Sequence, residues 1–532
     1  MLTKSIVMLL YLAVIVYLGY KGYKQTRDSS DYLLAGRKTA PAVMALSYGA
    51  SFISTSAIVG FGGLAGVFGM SLLWLTFLNI FVGIFIAFVV FGKRTRAMGQ
   101  NLNANTFAEL LGKRYQSNFI RKFVAGVVLV FMPVYTAAVM IGAAKFIEGS
   151  LDIGYNSALL IMAVIVAAYV FWGGMKAVMY SDAFQGVLMF GGMLFLIFWT
   201  YKGLGGITSA HLQLSELFNN ATVQEQAAGL AKGGFQGWTA MPTTLSVNWW
   251  VVLSSIVLGV GIGTLAQPQL AVRFMTVKST KDLNRAIPVG GVFILMMTGV
   301  AFVVGALSNV YFFNTTGKIA VAAAGGTDSI IPLFINNFMP AWFSSLFLVT
   351  IVSAAMSTLS AQFHTIGAAV GRDLISESYD SDDKGMLSSK LGMLAGIFLT
   401  IALSYFLPKI WDAAIGISTG LFFGLCGAAF IPMYIGALYS KRMNRTTAVT
   451  SMLTGFIVSL LWMTFVHSKE SVVFKISQLL FNKPFLFNSN IQYVDPILIS
   501  LTVSSLVAII LTALQKPDDN NQHVEKCFEG IK

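Results

Sequence analysis

The chain has 532 residues, 56% hydrophobic and 11% charged, with a mean hydropathy of +0.74. Soluble domains carry about 25% charged residues, so this composition excludes a soluble globular protein and indicates an integral membrane protein. The formal charge of +13 has to be weighed against membrane topology before any nucleic-acid partner is considered.

Apolar runs long enough to cross about 30 Å of hydrocarbon predict thirteen helices, an all-α integral membrane protein. In chain order they cover Ile6 to Tyr20, Ala40 to Gly66, Ser71 to Phe91, Phe123 to Phe146, Ser157 to Trp172, Ala183 to Tyr201 and Trp249 to Leu265. The remainder cover Ile287 to Phe313, Trp342 to Val370, Leu391 to Phe406, Ile415 to Leu438, Ala448 to Val466 and Ile497 to Leu514. The first is not a clear signal peptide, since it lacks a small-residue cleavage site and runs straight into a basic segment, Lys21 to Lys38.

With the N-terminus outside and the C-terminus cytoplasmic, the loops after odd-numbered helices face the cytoplasm. They hold 26 of the 35 Lys and Arg residues, as the positive-inside rule requires of a multi-pass cell-membrane protein. The positive charge is then directed at anionic lipid, and no nucleic-acid partner is implied. The segment Gly203 to Asn248 lies outside, either folded over a vestibule or simply connecting helices. SESYDSDDK, Ser376 to Lys384, reads as a solvated loop after the ninth helix, and the tail from Gln515 as a disordered end.

Two helices carry interruptions. The second contains GASFISTSAIVGFGGLAGVFG, starting at Gly49, and the seventh contains LGVGIGTLAQPQ, Leu258 to Gln269. They lie five helices apart and enter the membrane from opposite sides, the pattern of an inverted-repeat transporter with its site at the midplane. Unwound backbone there exposes carbonyls to a cation and half-helix N-termini to an anion. Close packing through small residues is the competing explanation of the glycines.

In the ninth helix, SAAMSTLSAQ runs from Ser353 to Gln362. A 3.6-residue period puts Ala354, Ser357, Thr358 and Ala361 on one face. Sodium is a hard ion that accepts neutral oxygens, so hydroxyls and free carbonyls can hold it without a carboxylate. Such hydroxyls equally bond back to their own helix or join neighbouring helices. Asp182, at the start of the sixth apolar run, is a functional candidate as an intramembrane carboxylate, with an N-cap or a proton-carrying role as alternatives. His364 reads as a packed histidine, and His211, His364, His467 and His523 show no zinc spacing. With two cysteines, Cys426 and Cys527, neither a disulfide framework nor a cysteine-ligated metal is expected.

ASFIS (Ala50 to Ser54), SDAFQ (Ser181 to Gln185), QPQLAVRF (Gln267 to Phe274), AAMSTLS (Ala354 to Ser360) and YLLAGRK (Tyr32 to Lys38) together resemble the sodium:solute symporter family. The resemblance implies a leucine-transporter-type five-plus-five inverted repeat with one extra N-terminal and two extra C-terminal helices. The divisions would be 1–39, 40–202 for the first repeat, 203–248, 249–440 for the second repeat, 441–515 and 516–532. It also implies a sodium site from the carbonyls of Ala50, Ile53 and Ala354 with the hydroxyls of Ser357 and Thr358. A second sodium site in some members would use Asp182 and Ser360, with Ser357 shared; Ala361 stands where that pattern has a further serine, which argues for one ion. The solute pocket would be lined by Ser54, Ser56, Tyr135, Val260, Thr264 and Gln267.

The expected activity is sodium-coupled import of a small organic solute by alternating access, with sodium the only cofactor. GIGTLAQPQ resembles the pantothenate and acetate-type branch, which favours a carboxylate such as a monocarboxylate or pantothenate. Proline and sugars, including sialic acid, are the alternatives. An ion channel is a remoter one, and an enzyme using Ser360 with His364 remoter still. Oligomeric state is open.

Overall fold

The computed structural model describes residues 2–151, 153–375, 382–410, 414–515 and 521–531. Eleven helical segments are long and apolar enough to span a membrane. Two of them hold more than one crossing. Tyr155–Gly203 is 49 residues, about 74 Å at 1.5 Å per residue and far beyond one bilayer core. It breaks at Gly174 (φ 53°, ψ −150°), where any Cβ would run into Tyr32, so only glycine fits this corner. Ser56–Asn101 turns at Gly69 (φ 71°, ψ −149°), wedged against the Trp238 backbone. Divided at these two glycines, the eleven segments make thirteen crossings, with Pro41–Phe52 as the first half of the second helix. Among the described residues there is no strand, only one isolated bridge between Thr39 and Val277.

Both expected interruptions are present. The second helix stops at Phe52, passes through Ile53 in extended conformation (φ −94°, ψ 104°), and resumes as a π-helical turn over Ser56–Gly60 followed by Phe61–Phe68. The seventh narrows to a 3-10 turn at Thr264–Ala266 and stops at Gln267 (φ −75°, ψ 120°), whose extended backbone is what the following Pro268 favours.

The ninth helix, Ala341–Ala368, and the eleventh, Ala414–Tyr439, form the centre: 94% of the apolar stretch of each is buried, against 22% for the first and thirteenth helices, which face lipid. The first helix, Leu2–Gln25, packs Gly19 and Gly22 against Tyr169 and Ala177. The last two, Arg445–Phe465 and Pro496–Leu514, join the eleventh through small residues and hydroxyls. Ser451 Oγ donates to Ser504 O and Ser504 Oγ to Ala428 O, both at 2.9 Å, the usual mode of helix association in lipid.

The loops assigned to one side of the membrane do share one face. Arg37 donates to Ala104 O at 2.6 Å, Arg96 to Lys278 O at 3.1 Å and Arg94 to Leu438 O at 2.9 Å, while Arg372 pairs with Glu109 and Lys176 with Asp31. On the opposite face, Gly203 to Asn248 folds back as short helices, including Ile207–Leu217. Trp238 Nε1 there donates to Gly66 O at 2.8 Å, a carbonyl that Asn309 of the eighth helix also reaches, so the segment is more than a connection.

Two expectations need correction. The tail is not structureless where it is described: Asn521–Phe528 is a helix with Cys527 buried. Asn101 Nδ2 donates to Glu529 O at 2.8 Å, and Lys441 pairs with Glu525 at 2.9 Å, so the helix is docked by contacts its polar composition hid. Residues 516–520 lie outside the described residues. So do 376–381 of the acidic segment, while its last residues open the helix Asp382–Ile410.

Candidate functional site

The ninth helix presents its hydroxyl face to the break of the second. Ser357 Oγ donates to Ala50 O at 2.8 Å and lies 3.3 Å from Ala354 O. Thr358 Oγ1 lies 3.1 Å from Ala354 O and 3.4 Å from Ser51 O. Ala50, Ile53, Ala354, Ser357 and Thr358 are all buried. The carbonyls of Ala50, Ser51 and Ala354 and two hydroxyls, from chain positions about 300 apart, thus converge just before the second helix unwinds at Ile53, whose own carbonyl is joined to neither hydroxyl among the described residues. That neutral oxygen set suits a hard monovalent cation.

One turn further along the ninth helix, Ser360 Oγ donates to Asp182 Oδ1 at 3.0 Å. Asp182 Oδ2 accepts from Ser47 Oγ at 2.9 Å, Ser51 Oγ at 3.0 Å and Arg273 Nη2 at 2.9 Å. Carboxylate and guanidinium are both fully buried. Arg273 is further held by Ser47 Oγ at 3.2 Å and by the carbonyl of Gln269. Asp182 is therefore not an N-cap. It sits two turns inside its helix, which starts after Gly174, because the less apolar stretch before Asp182 is helical as well.

Ser47, Ser51 and Arg273 were not singled out from sequence. Ser47 and Ser51 are four apart and share a face with Ser54, and Arg273 is an isolated cation in an apolar run, which calls for a buried partner.

The candidate solute residues divide. Ser54, Ser56, Tyr135 and Val260 line one cavity of about 30 Å³ with Phe52, Phe61, Phe302, Phe423, Asn79, Thr298 and Thr419. Thr264 and Gln267 are not among its lining residues: Thr264 Oγ1 donates to Gly261 O at 2.9 Å, and Gln267 Oε1 accepts from Gln269. Ser56 Oγ and Asn79 Oδ1 are buried without a hydrogen-bond partner. Tyr135 stacks on Phe422 and meets Phe423 edge-on at 5.2 Å. No charged side chain lines the cavity. Its volume admits about two waters, so an organic solute fits only once the surrounding helices part.

His364 Nε2 lies 2.9 Å from Tyr32 O, as a packed histidine should, and no hydrogen bond joins it to Ser360 among the described residues.

A model of the sodium:solute symporter family matches residues 32–455. The osmoregulated proline transporter OpuE of Bacillus subtilis is 26% identical over 473 residues, 88% of this chain and 90% of that one. Sodium/proline symporter 2 of Staphylococcus saprophyticus is 27% identical over 486 residues, 88% of this chain and 87% of that one. Among solved structures, a sodium-coupled sialic acid symporter in a substrate-bound outward-open state superposes with a TM-score of 0.74 at 18% identity, covering 97% of this chain and 98% of that chain. The transporter Mhp1, of the nucleobase-cation-symport-1 family, superposes at 0.50 and 12% identity, covering 93% and 97%.

The chain belongs to the sodium:solute symporter family. It has the leucine-transporter-type fold of five-plus-five inverted repeats, with one extra helix before them and two after. It is a multi-pass membrane transporter, and sodium is the coupling ion the family implies.

Proposed function

We propose that the protein imports a small carboxylate-bearing solute together with one sodium ion, with its N-terminus outside and the face carrying Arg37, Arg96 and Lys441 in the cytoplasm. The observation that carries this reading is the convergence of the Ser357 and Thr358 hydroxyls on the Ala50 and Ser51 carbonyls at the broken second helix. Sodium at that junction joins the ninth helix to the second and thereby orders the cavity that begins at Ile53 and Ser54. Each ligand favours the arrangement the other needs, so coupling is reciprocal. A membrane potential contributes about 2.3 kcal/mol per charge per 100 mV, enough to drive uptake before any concentration difference.

The number of ions is read from Arg273. Its guanidinium pairs with Asp182 through Oδ2, on the side of Ser47 and Ser51, so a second sodium at Ser360, on Oδ1, would have to share a carboxylate that is already neutralised. Ala361 supplies no hydroxyl there.

The cavity's aromatic walls, hydroxyls and lack of charge support a compact solute with an apolar body, its carboxylate held by Ser54, Ser56 and Thr419. Proline, the solute named for the bacterial relatives, fits this description, as do short monocarboxylates and pantothenate. A competition panel of proline, pantothenate, acetate, glucose and sialic acid against uptake into proteoliposomes, with and without a sodium gradient, tests the reading. Uptake indifferent to sodium, or unaffected when both Ser357 and Thr358 are alanine, would overturn it.

A further inference from the structure

A second cavity, about 310 Å³, adjoins the small one and shares Ser56, Phe61 and Val260 with it. That volume lies within the usual range for small-molecule sites, about 300–1,000 Å³. It is built by the segment that follows the twelfth helix, by Asp495 at the start of the thirteenth and by Asp328 beside the eighth. One wall is apolar, with Phe61, Leu64 and Ile256; the other carries both signs of charge.

The charges are sorted by their contacts. Glu470 is neutralised by His467, whose other ring nitrogen lies 3.5 Å from Ser255 Oγ. Asp495 lines the cavity and uses Oδ1 to accept the Ile497 N–H at 3.0 Å, a helix cap, while Oδ2, close to Gly259, accepts no hydrogen bond among the described residues. Asp328 accepts no hydrogen bond among the described residues, and Lys469 is exposed beside Gly416 at the start of the eleventh helix. Two unpaired carboxylates and one free ammonium therefore face a half-apolar chamber. At its inner end, Ser56 Oγ is buried and unpartnered, aimed where the two cavities meet.

We propose that this chamber is a binding site for small zwitterions, an antechamber in which Asp495 and Asp328 take the solute's ammonium and Lys469 its carboxylate before it passes Ser56 into the inner cavity. The proposal rests on the symport reading above and narrows its solute class from carboxylates to zwitterions. A bare carboxylate meets two like charges here, whereas a zwitterion pairs with both signs of the charged wall. The inner cavity holds no charge, so there the solute's ammonium needs a neutral acceptor, which the unpartnered Asn79 Oδ1 offers, while the hydroxyls take its carboxylate.

The test uses the full chain in proteoliposomes, with labelled L-proline as the probe and glycine betaine, acetate and methylammonium as competitors. Asp495→Asn keeps the helix cap, since asparagine caps as well as aspartate, and removes only the charge. The expected result is a rise of about tenfold in the KM for L-proline in Asp495→Asn and in Lys469→Gln, about 1.4 kcal/mol each, with Vmax within twofold. Glycine betaine should compete, and acetate and methylammonium should not. Unchanged KM in both variants, no uptake or competition by either zwitterion, or competition by acetate equal to that by betaine would each overturn the proposal. Ser357→Ala separates this from the parent reading. A sodium requirement raised about tenfold there, with unchanged KM in Asp495→Asn, removes the antechamber and leaves symport standing. Shifted KM with sodium-independent uptake does the reverse.

Discussion

Arg273 and Asp182, 91 positions apart in the chain, form a fully buried ion pair at 2.9 Å between the two broken helices and the ninth. Three serines complete the carboxylate's hydrogen bonds, so neither charge is left unsatisfied. Breaking such a pair from one side leaves a bare buried charge, which costs about 3–5 kcal/mol, whereas removing both charges with matched volume is often neutral. Arg273→Met alone should therefore lower the melting temperature sharply, and adding Asp182→Asn should recover most of the loss. Thermal unfolding of the purified single and double variants checks this.

If Arg273 neutralises the carboxylate that a second sodium would need, sodium activation of uptake in the wild type should follow a Hill coefficient near 1. In Arg273→Met, with Asp182 still present, it should rise toward 2. A wild-type coefficient clearly above 1.5 would show that the guanidinium does not replace an ion.

Ser357 and Thr358 each offer one hydroxyl to the junction with the second helix. Ser357→Ala or Thr358→Ala should raise the sodium concentration for half-maximal uptake about tenfold, and the double variant by more. Solute affinity should fall by a matching factor at low sodium and recover at saturating sodium, because linkage between the two ligands is reciprocal. Solute binding titrated at two sodium concentrations reads this directly.

The outer charged cluster makes folding stability depend on pH. Burial works against the His467 imidazolium, but the Glu470 carboxylate and then Asp495 more than offset it, so the histidine's pKa is raised. Burial would raise Glu470, yet His467 beside it holds it below its usual value. Asp495 is pushed up to about 6, chiefly by burial and further by Glu470, with His467 and Lys469 opposing. A raised histidine contributes stability fully present below its unfolded value and lost as pH rises through the higher folded one. A raised carboxylate acts in the same direction, over about pH 4 to 6. Melting temperature should thus fall as pH rises from about 4 to 6, where Asp495 titrates, and go on falling above the usual histidine value. His467→Gln with Glu470→Gln should flatten that part of the curve and leave the part near pH 5 in place.

Gly69 holds a left-handed backbone angle and touches the Trp238 backbone, so Gly69→Ala adds both strain and overlap. A loss of about 1–3 kcal/mol is expected. Limited proteolysis should show the outer segment around Trp238 cut first in the variant.

The sequence by itself determined what its local chemistry dictates. Apolar runs separated by basic loops defined the membrane class and the thirteen crossings, since each helix satisfies its own backbone in lipid. Glycine, serine and proline marked where the second and seventh helices stop, and the hydroxyl face of the ninth followed from helical period alone. Only the tertiary structure decided which polar groups meet. Arg273 with Asp182, Ser357 with Ala50, Asn101 with the tail helix, and Asp495 with the cavity beside Ser56 are contacts between distant segments. Periodicity places a residue on a face; which face it meets is settled by the packing of thirteen helices together. That packing made Asp182, a candidate ligand for a second sodium from sequence, one half of an ion pair.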